Sequence, residues 1–184
     1  MGNFDINKFI GRFIEMFISL PRAIKKAVDE NALADSLASV ILANIIIALG
    51  FIGAFNSFNL NNKFVYISPY KILPGVLLSF NLNVIINMLA FYFVGQTFGG
   101  RGTPQNIAVA FGLISFPLAL FRSLIRFFGI LYYPMQVLTI LVEYVACAEA
   151  HDMRDPKNIV ATVVISYLAF RIAEYAVSMF IRFY

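Results

Sequence analysis

One acidic residue, Glu143, stands inside a long apolar segment, and asparagines stand at comparable depth in two other apolar segments. A carboxylate surrounded by amides could coordinate a cation or relay a proton, as in membrane transporters. A protonated glutamic acid bonded to asparagines could equally serve only to hold helices together. Asn83 and Asn87 are one helical turn apart and share a helix face. The predicted polar site comprises Glu143, Asn44, Asn83 and Asn87.

A second set of charged residues is predicted near the far ends of two apolar segments. At about 1.5 Å per helical residue, Arg122 and Glu174 both lie roughly 24–26 Å from the starts of their helices. Because ionisable groups in lipid are tolerated mostly when they pair, we expect one cluster. Each arginine could instead extend separately to the lipid headgroups. The predicted cluster comprises Arg122, Arg126, Arg171 and Glu174.

The chain offers little else for chemistry, since it contains one cysteine and one histidine. Cys147 alone excludes an internal disulfide and a cysteine-based metal cluster, and His151 alone cannot form a histidine-rich metal site. His151, near Glu149 and Asp152, could act as a general base, but the sequence positions no nucleophile beside it, which favours a solvated loop. We therefore expect no catalytic residues, no metal, no cofactor and no enzymatic activity.

The composition is that of an integral membrane protein. Of the 184 residues, 60% are hydrophobic and 13% are charged, whereas soluble domains average about 45–50% apolar and 25% charged residues. The net charge of +4 comes from basic residues scattered beside apolar segments, without the basic patch and interleaved aromatics of nucleic-acid binding. Lysine and arginine in such positions set membrane topology. The lipid bilayer is thus the expected partner, and nucleic acid is not.

Residues 1–30 are predicted to form short amphipathic helices on the cytoplasmic side. Apolar residues recur at three- and four-residue spacing from Ile6 to Leu20, and Pro21 ends or kinks the first helix. This helix can lie in the headgroup region of the bilayer, or it can pack on the protein's own membrane helices, and the sequence leaves both open. The basic residues expected to face lipid are Lys8, Arg12, Arg22, Lys25 and Lys26.

Residues 31–184 are predicted to form the membrane domain, an all-α bundle of five transmembrane helices. Each helix has about 20 apolar residues, the length that crosses a hydrocarbon core of about 30 Å. The predicted spans are 34–55, 72–95, 105–128, 130–150 and 157–181. With the N-terminus in the cytoplasm, eight lysines and arginines fall inside and five outside. This bias predicts a cytoplasmic N-terminus and a C-terminus outside.

The loop between the second and third spans reads GGRGTP and combines glycines with a single charge. Thr103 and Pro104 are an N-cap and first-turn pair that starts the third span. Gly95 and Gly99 form a small-xxx-small pair that allows close helix approach. The loop lacks the lysine and hydroxyl residue of a phosphate-binding loop, which favours a tight hairpin over a nucleotide site. The predicted cytoplasmic loop motif comprises Gly99, Gly100, Arg101, Gly102 and Pro104.

Three segments together resemble the Yip1 domain family, over about residues 10 to 180. They are GGRGTPQNIAVAFGLISFP, LPRAIKKAVDE before the first span, and CAEAHDMRDPKNIVATVV between the last two. The resemblance implies five membrane helices with a cytoplasmic N-terminus. Eukaryotic members lie in ER and Golgi membranes and bind prenylated Rab-type GTPases. This chain lacks their long N-terminal region and their Asp-Leu-Tyr-Gly-Pro segment, and it looks like the short prokaryotic members, which implies the cytoplasmic membrane.

Three function classes are compatible with these patterns, of which an intramembrane enzyme is the least favoured, because the sequence has no paired-aspartate motif, no spaced Ser-His dyad and no HExxH motif. The first is a non-enzymatic membrane protein that organises membrane or recruits membrane or peripheral proteins through its basic N-terminal helix and cytoplasmic loops, and the family resemblance favours it. The alternative is a small ion or solute transporter or channel that uses Glu143 and the nearby asparagines. Either class is compatible with an oligomer. A hydrated path to Glu143 would favour transport, and a sealed core with an apolar groove would favour interaction.

Overall fold

The computed structural model describes residues 5–61, 69–127 and 132–183, and these are almost entirely α-helical. In chain order the helices are α1 (Ile6–Ile18), α2 (Leu20–Asp29), α3 (Leu33–Asn61), α4 (Pro69–Thr97), α5 (Pro104–Phe127), α6 (Tyr132–His151) and α7 (Pro156–Phe183). The break between α1 and α2 falls at Ser19, so Pro21 lies in the first turn of α2. The predicted all-α class is confirmed, and within the described residues a helix coincides with each predicted span.

Four of these helices are long and apolar enough to cross a membrane. The qualifying segments are Leu33–Gly53, Tyr70–Thr97, Pro104–Phe121 and Pro156–Ala173. The predicted fourth span, 130–150, corresponds to α6, whose described residues do not reach this degree of apolarity. Its 20 residues include Gln136, Glu143 and Glu149. The described helices thus identify an integral membrane protein with four clear candidates for spanning the bilayer.

Helices α3 and α5 form the most extensive helix–helix contact of the fold. Small residues let them approach closely, since a Cβ added at Gly112 would lie 2.8 Å from the Cβ of Ser36. Ser39 Oγ donates a hydrogen bond to the Leu113 carbonyl at 2.7 Å. Pro117 has no N–H and leaves the Leu113 carbonyl without its usual intrahelical donor. Ser39 of α3 therefore completes the backbone hydrogen bonding of α5.

The centre of the bundle is α5, against which α2, α3, α4 and α6 all pack. Its Phe111 and Ile114 are buried in one cluster with Phe91 of α4 and Ile24 of α2, and the ring centroids of Phe91 and Phe111 are 4.5 Å apart. The last helix, α7, packs on α4 and α6. The space between α4, α6 and α7 adjoins the apolar core and contains the polar cavity.

Three helices end through the same backbone motif. Just past the end of each helix a residue has a positive φ, which is 51° at Asn31, two residues after α2 ends, 84° at Gly99, two residues after α4 ends, and 50° at Asp152, directly after α6. At the end of α4 the Gly100 N–H donates to the Gly95 carbonyl at 2.9 Å, which closes the last turn. The tight ends of α4 and α6 bring the next helix into contact with the one before it.

The start of α5 predicted from Thr103-Pro104 is confirmed, and a pair of the same type, Asp155-Pro156, starts α7. Thr103 Oγ1 accepts a hydrogen bond from the Asn106 N–H at 3.2 Å, and α5 begins at Pro104. Asp155 Oδ1 accepts from the Lys157 N–H at 3.0 Å at the start of α7. In both cases a side-chain oxygen satisfies an N–H group that has no partner within the helix.

The prediction that Arg12 faces lipid is wrong. Its side chain is buried and forms ion pairs with Glu30 at the end of α2 and with Asp35 at the start of α3. The reason is that α1 packs on the other helices through Phe9, Arg12 and Met16, and a charge on that face requires partners. The other four basic residues of the predicted set are exposed, namely Lys8, Arg22, Lys25 and Lys26.

Candidate functional site

A polar cavity lies between α4, α6 and α7. Each helix lines it through residues three, four or seven positions apart, which is the spacing of one helix face. Its volume is about 280 Å³, roughly nine times the 30 Å³ that one water occupies in the liquid. The polar residues that line it are Asn83 and Asn87 of α4, Gln136, Thr139 and Glu143 of α6, and Tyr167 and Arg171 of α7.

Glu143 is the most buried of these polar residues. Its exposed fraction is 7%, and Asn87 Nδ2 donates a hydrogen bond to its Oε1 at 3.5 Å. A smaller cavity of about 50 Å³ adjoins Glu143 toward α5 and is lined there by Ser115. Gln136 and Arg171 are exposed. The main cavity is therefore closed at Glu143 and open along Gln136, Tyr167 and Arg171.

The structure brings together three of the four residues of the predicted polar site. Asn83, Asn87 and Glu143 line the same cavity. The prediction for Asn44 is wrong, because Asn44 and Asn81 exchange two amide hydrogen bonds of 3.1 and 2.8 Å between α3 and α4. The physical reason is that α3 packs on α5 and α4, so Asn44 meets a different face of α4 from the one that lines the cavity.

The predicted charge cluster is described only at Arg171. The other three side chains lie outside the described residues, namely Arg122, Arg126 and Glu174. Arg171 lines the cavity that contains Glu143. Its Nε and Nη2 donate hydrogen bonds to Tyr167 Oη at 3.0 and 2.7 Å, and its guanidinium carbon lies 5.0 Å from the Tyr167 ring centroid. Arg171 thus belongs with the Glu143 site, and the cluster of all four charged residues stays a prediction.

Sequence reasoning missed three polar residues of the cavity, Gln136, Thr139 and Tyr167. A signal was present for the first two, because Gln136 precedes Glu143 by two helical turns and Thr139 precedes it by one. Gln136, Thr139 and Glu143 therefore share one face of α6. Tyr167 carries no such signal, since a tyrosine with an apolar ring and a polar tip is equally suited to a membrane interface.

The glycines near the loop between α4 and α5 enclose the ring of His151, the last residue of α6. A Cβ added at Gly95 or Gly100 would overlap the imidazole, and at Gly100 it would lie 2.5 Å from Nδ1, whereas one at Gly102 would overlap the Ala150 carbonyl oxygen. The prediction of a solvated loop at His151 is wrong, because its exposed fraction is 0%. Gly99 has open space around it, so its role is the positive φ that ends α4. The loop motif is a socket for one side chain.

Backbone groups hold the residue in this socket. The Arg101 N–H donates to the His151 carbonyl at 3.0 Å, and His151 Nε2 lies 3.0 Å from the Phe91 carbonyl. Because a carbonyl only accepts, Nε2 carries the proton and donates it. Nδ1 has no hydrogen-bond partner among the described residues. Burial lowers the pKa of His151 below its ordinary value, and the hydrogen bond to Phe91 opposes this in part.

We expect the protein to lose stability in mild acid because of His151. The lowered pKa means that, below the unfolded value of about 6.5, the unfolded chain binds a proton that the folded chain resists. The contribution of neutral His151 to the stability of the fold is therefore fully present above pH 6.5. It is lost as the pH falls from there through the pKa of His151 in the folded protein. The thermal midpoint, measured from pH 7.5 to pH 5, should fall more steeply for the wild type than for a folded His151→Gln variant. Because His151 is the only histidine of the chain, no other histidine contributes to this difference. Parallel curves for the two proteins would contradict the assignment to His151.

Within the described residues, no three His, Cys, Asp or Glu side chains are grouped so that they could hold a metal ion. The polar cavity has one carboxylate, and the His151 socket is closed by backbone. No family model, curated protein or solved structure matches this chain. The resemblance to the Yip1 domain family therefore stays a prediction. The structural features that bear on function are the polar cavity and the N-terminal helices α1 and α2.

Proposed function

We propose that this is a non-enzymatic integral membrane protein that organises lipid at the cytoplasmic surface through α1 and α2. The observation that carries the proposal is the two-sided character of α1. Phe9, Arg12 and Met16 are buried against the bundle, whereas the adjoining face of the helix is apolar and exposed. The exposed apolar residues are Ile6, Ile10, Ile14, Phe17 and Ile18.

An apolar strip on a helix held in this way suits the boundary of a bilayer. Ile6, Ile10 and Ile14 repeat every four residues, which aligns them along one face, and their exposed fractions are 48–61%. In water such a strip would be an unfavourable patch, whereas in a membrane interface it contacts acyl chains. The buried ion pairs of Arg12 fix the direction of the strip relative to α2 and α3.

Helix α2 presents a surface of the opposite character. Its exposed residues include Arg22, Lys25 and Lys26. Basic side chains near an anionic leaflet contribute about 1 kcal/mol each. We infer that α1 contacts acyl chains while α2 holds anionic headgroups, so that the pair collects anionic lipid around the protein. The resemblance to the Yip1 domain family supports a cytoplasmic location for both helices.

The proposal includes five spans, with α6 as the fourth. Helix α6 packs against α5 and α7, both of which contain segments long and apolar enough to cross a membrane. Its buried acid, Glu143, lines the cavity between helices. Because neighbouring helices bury most of its residues from Glu143 to His151, α6 can cross the bilayer with less apolar sequence than a helix that faces lipid all round.

The experiment uses the absence of tryptophan from the chain, which makes one introduced tryptophan a specific probe. We expect Ile14→Trp, in mixed vesicles, to be quenched strongly by lipids that carry bromine on their acyl chains. Asp29→Trp, on the exposed end of α2, is the position control and should be quenched several-fold less. Brominated phosphatidylglycerol should quench Ile14→Trp more than brominated phosphatidylcholine at the same mole fraction, because anionic lipid is enriched beside α1.

Charge variants decide whether α2 causes this enrichment. In the Ile14→Trp background, Lys25→Gln with Lys26→Gln should remove the preference for phosphatidylglycerol. Arg154→Gln with Lys157→Gln removes two exposed charges around the start of α7 and should leave the preference intact. Equal quenching at Ile14 and Asp29, or a preference that the Lys25 and Lys26 changes do not alter, would contradict the proposal.

The cavity supports a second candidate function, a transporter or channel for a small ion or solute. The specific observation is a buried carboxylate, Glu143, at the closed end of a polar cavity whose other end is open at Gln136 and Arg171. Residues of this type inside a membrane bundle commonly mark a substrate path. The lipid-organising role and the solute role use different surfaces, so each is testable without the other.

A further inference from the structure

The cavity between α4, α6 and α7 is lined by groups of both charge signs. Glu143 contributes a carboxylate at the closed end, and Arg171 contributes a guanidinium near the open end. We propose that the cavity binds a small zwitterion, a molecule that carries an ammonium group and an acidic oxyanion group. This inference rests on the second candidate function, whose ligand it specifies, and it does not depend on the lipid role of α1 and α2.

The two charged residues are offset along the bundle. A short turn joins α6 to α7, so the two helices run antiparallel. Glu143 lies eight residues before His151, and Arg171 lies fifteen residues after Pro156. At about 1.5 Å per residue these distances are roughly 12 and 22 Å from the turn, an offset of roughly 10 Å. The long arginine side chain shortens this gap to the length of a small ligand, with the ammonium toward Glu143 and the oxyanion toward Arg171.

Ligands with a single charge fit this lining less well. A free anion that enters the cavity meets the Glu143 carboxylate, and a free cation first passes the Arg171 guanidinium. Like-charge repulsion is weakly screened in a cavity of low dielectric constant. A zwitterion presents the opposite charge to each residue, and each pair of groups is a charge-assisted hydrogen bond.

The neutral residues of the lining supply further donors and acceptors. The amides of Asn83 and Gln136 can each donate and accept. Thr139 Oγ1 donates to the Met135 carbonyl at 3.0 Å, which leaves its oxygen as an acceptor for an ammonium group. The open volume of about 280 Å³ among these side chains favours a ligand.

Two sources supply this chemistry. One is a free amino acid such as glycine, and the other is the ethanolamine headgroup of a phospholipid. Both carry a primary ammonium group within a few bonds of an oxyanion, and the cavity volume accommodates either. The experiment therefore keeps lipid and solute as separate variables.

The test uses the full chain in nanodiscs of phosphatidylglycerol, which has no ammonium group. Cys147 is the single cysteine and is buried, so its reaction with a thiol-reactive dye reports thermal unfolding. We expect glycine to raise the unfolding midpoint with a saturable dose dependence. Acetate and methylammonium, the two halves of glycine, should not reproduce the rise. Glu143→Gln and Arg171→Gln should each weaken the apparent affinity about tenfold or more, and Lys157→Gln, which lies outside the cavity, should not.

The outcomes distinguish a free amino acid, a phospholipid headgroup and the absence of a zwitterion site. Saturable stabilisation by glycine that both cavity variants weaken supports the free amino acid as the source. Stabilisation by phosphatidylethanolamine nanodiscs that both variants abolish supports the headgroup. An equal effect of acetate or methylammonium alone, an effect that the variants retain, or no response to either zwitterion overturns the proposal. Uptake of labelled glycine into vesicles is measured separately, and binding without uptake would reject the transporter and leave the zwitterion site standing.

Discussion

Replacing Gly95 with alanine is expected to destabilise the fold by about 2–4 kcal/mol, although the change adds one methyl group. The added Cβ would overlap the imidazole of His151, which is held by its hydrogen bond to the Phe91 carbonyl. The ring has no room to move, because Gly100 and Gly102 close around it as well. The thermal midpoint, followed through the reaction of the buried cysteine with a thiol-reactive dye, should therefore fall markedly.

A matched control and a double-mutant cycle identify the cause. Gly75 lies in the same helix, and a Cβ added there would meet nothing within 4 Å. Gly75→Ala should therefore be neutral, or stabilising by up to about 1 kcal/mol, since alanine favours the helix. His151→Ala removes the ring and should cancel most of the cost of Gly95→Ala. An equal cost of Gly95→Ala with and without the ring would show that the socket is not its origin.

Replacing Arg12 with leucine is expected to destabilise the protein by about 3–5 kcal/mol, because it leaves a buried carboxylate without its partner. Asp35 is 4% exposed and Arg12 is 7% exposed. Glu30 and Asp35, the two partners of Arg12, belong to the ends of two other helices, so the change also loosens α1 from α2 and α3. The thermal midpoint of the purified protein is the measurement.

Two further variants separate the unpaired charge from lost packing. Lys26→Ala breaks an ion pair with Glu15 at 3.9 Å in which Lys26 is 54% exposed, and it should cost less than about 1 kcal/mol. Arg12→Leu combined with Asp35→Leu removes both buried charges and should restore most of the stability. A double variant as unstable as Arg12→Leu alone would show that the packing of Arg12, and not the charge of Asp35, is what the single variant loses.

The helices and their starts were predictable because the signals that define them are local. Apolar runs of about 20 residues predict the long helices, and the Thr103-Pro104 and Asp155-Pro156 pairs predict where two of them begin. The hydrogen bonds at Thr103 and Asp155 confirm these starts. A cap acts within one turn of the chain, so the sequence around it contains all the information required.

The partners of side chains were not predictable in the same way. Helical spacing shows which residues share a face, but not which helix lies opposite that face. Asn44 has a depth similar to that of Glu143, yet α3 packs on α4 and Asn44 meets Asn81. Arg12 lies on the polar side of the amphipathic pattern of α1, yet it forms a buried ion pair with Asp35, which is 23 residues later in the chain. These contacts depend on tertiary packing that a single helix does not encode.

The cavity was predictable in part. The sequence predicts Glu143 near Asn83 and Asn87, because an ionisable group in an apolar helix requires polar neighbours. Arg171 also lines this cavity, which depth counted along Cα positions does not predict, because such a count leaves out the reach of the side chain. Its contact with Tyr167 and its position in the cavity show that this reach decides its neighbours.

The hydrogen bond from Ser39 to the Leu113 carbonyl bears on how the chain enters the membrane during synthesis. A chain is made from its N-terminus, so α3 precedes α5. On its own, α5 would bring into lipid a carbonyl that Pro117 has deprived of its donor, which is unfavourable where no water is present. Its donor lies 74 residues earlier and is already in place. We therefore expect α5 to insert into a bilayer less efficiently in a chain that lacks α3 than in the full chain.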